Sequence, residues 1–330
     1  MTLQADVLFY GDNSEFRNPF REGETIFGTA TKVSVVASLN DRVDFTLGIA
    51  GNHLFGGDDA FELVRPVISL AMTGRRSAFT FGTLPVAHPD PSAGPDRAGP
   101  HRLLPVLQRE TLSFTRPYEA GLQWTFRGSS LQHDMWISWQ RVNTQEHRER
   151  FDAGIAAELR TPSAISIPLQ LHVVHEGGQR FASGAVRDSA AAAIGLRVAG
   201  AAGAFDRAGL EMYALASRFV PDRAAPDRNR RGAGFLGRAA VERSGWRAHV
   251  LFWRGRDFIA EEGDPNYLSI RRDGSYYRGT RDYSEAGLTR GFTPAQGVTI
   301  AASARIHRTE RHYEYSYRVI GTANLRFKLR

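Results

Sequence analysis

Hydrophobic and polar residues alternate with period two along most of this chain, in segments of about ten residues. The cleanest segment is 43–49, where Val43, Phe45, Leu47 and Ile49 fall on one side and Asp44, Thr46 and Gly48 on the other. Successive side chains of a strand point to opposite faces, so such a segment is greasy on one face and wet on the other. Just upstream, Phe27, Val33, Val35, Ala37 and Leu39 oppose Gly28, Lys32, Ser34 and Ser38, and Asn40-Asp41-Arg42 makes the turn between the two. The rows Leu122-Trp124-Phe126, Met135-Ile137-Trp139, Ile167-Leu169-Leu171-Val173, Ala190-Ala192-Ile194-Leu196, Trp246-Ala248-Val250-Phe252 and Val298-Ile300-Ala302-Ala304 repeat the pattern. A helical period of 3.6 would scatter charges onto the apolar face, and the internal glycines and β-branched residues also favour strand.

The connections alternate as well. Short turns are expected near 40–42, 74–77, 127–130, 161–165, 200–203, 243–245 and 293–296. Longer polar loops are expected at 11–23, 55–63, 86–117, 143–152, 177–188, 221–231, 255–281 and around 308–311. Seven turns and eight loops imply about sixteen strands (fourteen to eighteen) with both termini on the turn side. The predicted fold is all-β: a transmembrane antiparallel up-and-down barrel forming one domain over residues 1–330. A sandwich would mix its connection lengths, and a propeller would repeat every ~40 residues.

Composition narrows this further. No stretch approaches the ~18 apolar residues of a membrane-spanning helix. The absence of cysteine fits export, and any leader peptide is expected to be absent from this chain. The net charge of +7 comes from arginine, lysine occurring only at 32 and 328. With 35 acidic residues against 42 basic ones and no long basic run, a nucleic-acid partner is not expected.

The last segment carries a resemblance. Tyr315, Tyr317, Val319, Ala323, Leu325, Phe327 and Leu329 share one face to the chain end, similar to the closing strand of the outer-membrane porins. The resemblance to porins spans the whole chain and rests on pattern. It implies a bacterial outer-membrane location, with outer-membrane lipid and lipopolysaccharide as surroundings, and a water-filled lumen passing small polar solutes, anions or saccharides. A homo-oligomer or partner transport machinery would fit the same class. By face assignment the lumen wall holds Lys32, Glu119, Asp134, Trp136, Arg197, Arg238, Arg247, Trp253, Arg305 and Arg318. Trp136 and Trp253 suggest a path for sugars, whose faces stack on such rings. The resemblance further implies that the third outer loop folds into the lumen, bringing Asp90, Asp96, Arg97, Arg102 and Arg109 toward Glu119 and Asp134. Rings at strand ends, including Phe27, Tyr118, Trp246, Tyr283 and Tyr315, suit the interfacial girdles.

Catalytic chemistry, metal sites and cofactors are not expected. His133, His172, His175 and His249 lack partners at metal-ligand spacing. The acidic runs Asp58-Asp59 and Glu261-Glu262-Gly263-Asp264 could hold a divalent cation at the cell surface but read better as solvated loops. No serine sits in a nucleophile elbow, so a barrel hydrolase would need the fold to assemble its groups. Three functions remain open: a solute channel, a dedicated exopolysaccharide export conduit, and a barrel-anchored surface or scaffold protein without transport. The turn and loop lengths fix a topology that labelling checks: a tag inserted near Asp227 is reachable on intact cells, and one near Asp41 is not.

Overall fold

The computed structural model describes residues 1–85, 101–181 and 184–329. Sixteen antiparallel strands form one closed barrel: β1 (Thr2–Glu15), β2 (Glu24–Asn40), β3 (Val43–Leu54), β4 (Leu63–Thr73), β5 (Ser77–Thr83), β6 (Ala120–Arg127), β7 (Leu131–Arg141), β8 (Glu149–Arg160), β9 (Ile165–Gly177), β10 (Arg187–Ala202), β11 (Phe205–Val220), β12 (Arg230–Arg243), β13 (Trp246–Arg256), β14 (Thr280–Ala295), β15 (Val298–Thr309) and β16 (His312–Lys328). Each strand pairs with its sequence neighbours, and β1 closes on β16 over a continuous register from Thr2–Lys328 to Glu15–Tyr315. No helix is long and apolar enough to cross a membrane, so the strands do the crossing.

The alternation resolves into two faces. Leu47 and Ile49 are each 55% exposed on the outer wall, whereas Asn52, further along the same strand, is buried inside. The outer row is the face turned to lipid. One connection differs from expectation: β15 and β16 are joined by Glu310 and Arg311 alone, with Glu310 in the left-handed region at φ 57°. Strand β1 runs to Glu15, five residues into the segment expected as loop, because it pairs with both β16 and β2.

Two connections turn into the lumen and pack against its wall. The connection between β5 and β6 places Leu103, Leu104, Val106 and Leu107 in a buried cluster with the wall residues Trp136, Tyr213, Leu236 and Trp253. The connection between β13 and β14 adds Phe258, Ala260, Tyr267 and Leu268 to that cluster. Phe114 packs with Leu8, Tyr10 and Ile320 in a second cluster, stacked on Tyr10 at 4.9 Å. Each large apolar side chain so buried contributes roughly 1.5–3 kcal/mol. The two connections also hydrogen-bond each other: Asp264 N donates to Pro105 O at 2.9 Å and Arg109 N to Glu262 O at 2.7 Å. Wall side chains receive them, with Leu104 N donating to Gln170 Oε1 and Ile259 N to Ser217 Oγ. A wall this wide cannot meet across its own lumen, so the loops provide the interior.

Register makes a direct prediction. Leu47→Arg puts a charge into lipid at a cost of roughly 2–4 kcal/mol, and assembly, read by heat-modifiable gel migration, falls. Gly48→Arg is no lumen control, because a Cβ there would stand 2.2 Å from Val33 O. Thr46→Arg, on the inner face of the same strand, assembles normally.

Candidate functional site

The wall residues expected in the lumen sit on the inner face, mostly in ion pairs. Lys32 meets Asp6 at 3.1 Å, Arg197 bridges Glu158 and Glu211 at 2.6 and 3.2 Å, Arg238 meets Glu211 at 2.7 Å, and Arg247 meets Glu242 at 3.7 Å. The two tryptophans are covered. Trp136 lies under the His101 ring, 3.6 Å between centroids and nearly parallel, and Trp253 is enclosed by Phe258 and Tyr267 and donates Nε1 to Tyr267 O. Their faces are taken by protein rather than open to a sugar.

Of the third-loop residues, Asp90, Asp96 and Arg97 lie outside the described residues. Arg102 has a positive φ of 58° and offers its carbonyl to Gln170, while Arg109 contributes its backbone N–H to Glu262. The side chain that meets the two wall carboxylates is His101: Nε2 is 2.7 Å from Glu119 Oε2 and Nδ1 is 2.9 Å from Asp134 Oδ2. Two carboxylates on two ring nitrogens require both nitrogens to donate, which is the imidazolium form. Burial would lower this group, but the carboxylates outweigh burial and push it up to about 10. His101 is thus a fixed cation tying the loop to the wall, with no nitrogen left to act as a base.

A second tie joins both loops. Arg116, just before β6, reaches Glu262 of the opposite connection at 2.6 Å and Asp152 of β8 at 3.2 Å; His172 of β9 stands 3.4 Å from Asp152. Burial would raise the Glu262 carboxyl, and the bidentate Arg116 guanidinium overrides burial and holds it well below the usual carboxylate range. The run Glu261–Asp264 therefore does not form a surface cation loop. Glu262 points inward to Arg116, Glu261 pairs with Arg150 and Arg187, and Asp264 pairs with Arg21. Asp152, His172 and Glu262 do present ligand atoms within 4.8 Å of one another, an arrangement sequence spacing did not reveal. The guanidinium already supplies positive charge there.

The arrangement with most chemical reach lies where β1, β14, β15 and β16 meet the loops. A small polar pocket is lined there by Asp12, Glu110, Tyr283, Glu285, Arg305, His307, Ser316 and Arg318, among others. Ser316 Oγ is 2.8 Å from His307 Nε2, His307 Nδ1 is 2.8 Å from Tyr283 Oη, and Tyr283 Oη is 2.7 Å from Glu285 Oε2. An ionised Glu285 only accepts, so Tyr283 donates to it and accepts from His307 Nδ1–H. His307 Nε2 is then left to accept from the Ser316 hydroxyl. This is a serine, a base and an orienting chain in the order nucleophilic catalysis requires. Beside it, Glu110 bridges Arg318 at 2.6 Å and Arg305 at 3.1 Å, and Arg305 Nε is buried with no hydrogen-bond partner among the described residues.

Tyr283 was expected in the interfacial girdle, and the structure corrects this: it faces the lumen and is 3% exposed. Its parity matches Arg281 and Glu285, both buried, so the expected outward placement was a one-residue slip of face. Tyr283, Glu285, His307 and Ser316 occupy inner positions of three consecutive strands, and no local motif marks them. The available signal was parity alone. The arrangement predicts that Arg116→Ala, by stranding Asp152 and Glu262, costs roughly 3–5 kcal/mol. It should also release the two loops to protease added outside, as seen by limited proteolysis of the intact barrel.

Comparison with solved structures places the fold. The chain is similar to OmpT of Vibrio cholerae, an outer membrane protein, in a loop L8 deletion mutant: TM-score 0.59, 7% identity, covering 98% of this chain and 99% of that one. It is also similar to the anion-selective porin of Comamonas acidovorans (TM-score 0.55, 8% identity, 98% and 99% covered) and to OccK11 of Pseudomonas aeruginosa (TM-score 0.53, 12% identity, 99% and 96% covered). Identities this low speak to the porin-like outer-membrane barrel fold alone. No curated protein matches. The model of the lipid A 3'-O-deacylase-type family matches residues 1–330. That family is named for an enzyme, so the expectation that the chain is not an enzyme is overturned: a period-two pattern carries no trace of groups that meet only across strands. The chain belongs to the lipid A 3'-O-deacylase-type family.

Proposed function

We propose that the protein is an outer-membrane ester hydrolase that removes an acyl chain from a lipid A-type glycolipid, with Ser316 and His307 at the reacting centre. The observation that carries this reading is the chain Ser316–His307–Tyr283–Glu285 at the wall of a polar cavity. The family's description supplies the substrate class. Ser316 Oγ attacks the ester carbonyl while its proton passes to His307 Nε2. The imidazolium so formed is stabilised through Nδ1 by Tyr283 and Glu285, and the oxyanion develops beside the Arg305 and Arg318 guanidiniums. His307 then protonates the departing sugar oxygen, and water releases the fatty acid by the same route in reverse. Burial strengthens each of these electrostatic contacts.

Solute passage, as in a porin, is the second reading, favoured by the charged inner wall around Arg197, Arg238 and Arg247. It requires an opening past the apolar loop cluster in the outer lumen. Dedicated export of a polysaccharide would need the same opening.

Ser316→Ala and His307→Gln should each lower release of the 3'-O-acyl chain from lipid A by about a thousandfold or more, measured by mass spectrometry on barrels that keep heat-modifiable migration. Undiminished release by folded S316A would reject the assignment. In planar bilayers the wild type should show little steady conductance, and a stable open channel would favour the second reading.

A further inference from the structure

The outer ends of β11, β12 and β13 carry arginines that the interior does not use. Arg218 faces outward between the buried Ser217 and Phe219, Arg231 shares the outer face with Phe235, and Arg256 lies outward beyond Phe252. The ladder places Arg218 directly across from Arg231 and Ala233 directly across from Arg256, so Arg231 and Arg256 are diagonal neighbours. Opposed residues have Cβ atoms about 4.5–5.5 Å apart and diagonal ones about 7–8 Å. Three guanidiniums therefore form a triangle on the outside of the wall.

Like charges directly opposite each other in a ladder destabilise it. Arg218 and Arg231 have no hydrogen bond or ion pair among the described residues that would relieve this. Arg256 has only Asp257, at 3.7 Å. Asp188, at the outer end of β10, is engaged by Arg223 at 2.6 Å. Below the arginines on β10, β11 and β12 the outer face is shallow, with Ala192 paired to Ala216 and Ala216 to Ala233, while Arg254 of β13, 3.7 Å from Asp282, stands across from Phe235. Phe235, 43% exposed, stands at the edge of this alanine floor. Unspent positive charge at the headgroup level above a shallow apolar strip is complementary to one kind of occupant, a lipid with an anionic head and acyl chains running along the wall.

We infer that Arg218, Arg231 and Arg256 form an external binding site for the phosphate groups of an outer-leaflet glycolipid, whose acyl chains lie over Ala192, Ala216 and Ala233. Guanidiniums grip phosphate through paired, charge-assisted hydrogen bonds, and a phosphate between Arg218 and Arg231 turns their repulsion into attraction. The site lies on the lipid face, separate from the cavity around Ser316, and stands whether or not that cavity hydrolyses esters.

Native mass spectrometry of the detergent-purified barrel tests this with bisphosphorylated lipid A, the same lipid after dephosphorylation, and inorganic phosphate. The wild type should retain the bisphosphorylated lipid, and R218A/R231A/R256A should retain it about tenfold less or weaker still. Arg290→Ala, at the opposite end of the wall, should change nothing. Arg231→Gln alone gives the same direction should the triple variant fail to fold. Equal retention by the folded variants, or equal binding of dephosphorylated lipid, would overturn the proposal. Competition by inorganic phosphate at lipid-like concentrations would make this a free-anion site and overturn it too.

Discussion

Closure of the sheet is the constraint on which everything else in this protein depends. A strand in lipid has no water to satisfy its N–H and C=O groups, so the edge of β1 must find the edge of β16. It does so over fourteen residue pairs, from Thr2–Lys328 to Glu15–Tyr315. Once sixteen strands close, the ring is too wide for its inward side chains to touch across the middle. The outer half of the lumen then holds either water or chain borrowed from the loops. Here Leu103, Leu104, Leu107 and Phe258 enter as a hydrophobic interior on a scaffold that lacks one.

Turning loops into the lumen brings charges out of water, and those charges are spent in ties between loop and wall. His101 between Glu119 and Asp134, Arg116 between Glu262 and Asp152, and Glu110 between Arg305 and Arg318 follow one rule: a buried charge persists where an opposite charge and a hydrogen bond meet it. His307 is held through hydroxyls: its Nε2 meets Ser316 Oγ and its Nδ1 meets Tyr283 Oη, with Glu285 Oε2 3.4 Å from Nδ1.

The fold and the family point in different directions, and both belong to this chain. Barrels of porin-like shape share its architecture at identities from 7 to 12%, while a family named for a deacylase spans residues 1–330. A barrel wall supports many chemistries because its outer residues answer only to lipid and its inner ones are free to vary. Function is decided by what the lumen contains.

The sequence by itself determined the wall. Alternation such as Val43-Phe45-Leu47-Ile49 reports the two faces of a strand locally, and turn and loop lengths order the strands, so strand number, topology and inner face were legible without coordinates. Parity also placed Trp136, Arg238, Trp253 and Arg318 inside. It failed at Tyr283, where a ring near a strand end reads equally well as girdle or lumen. Tertiary structure alone decided the interior. Leu103 and Phe258 lie more than 150 residues apart and meet because two connections turn into the same lumen. Ser316, His307 and Glu285 are brought together by the register of three strands. A local pattern records which face a residue occupies; which residue it meets there is set by pairing, and that information is spread over the whole chain.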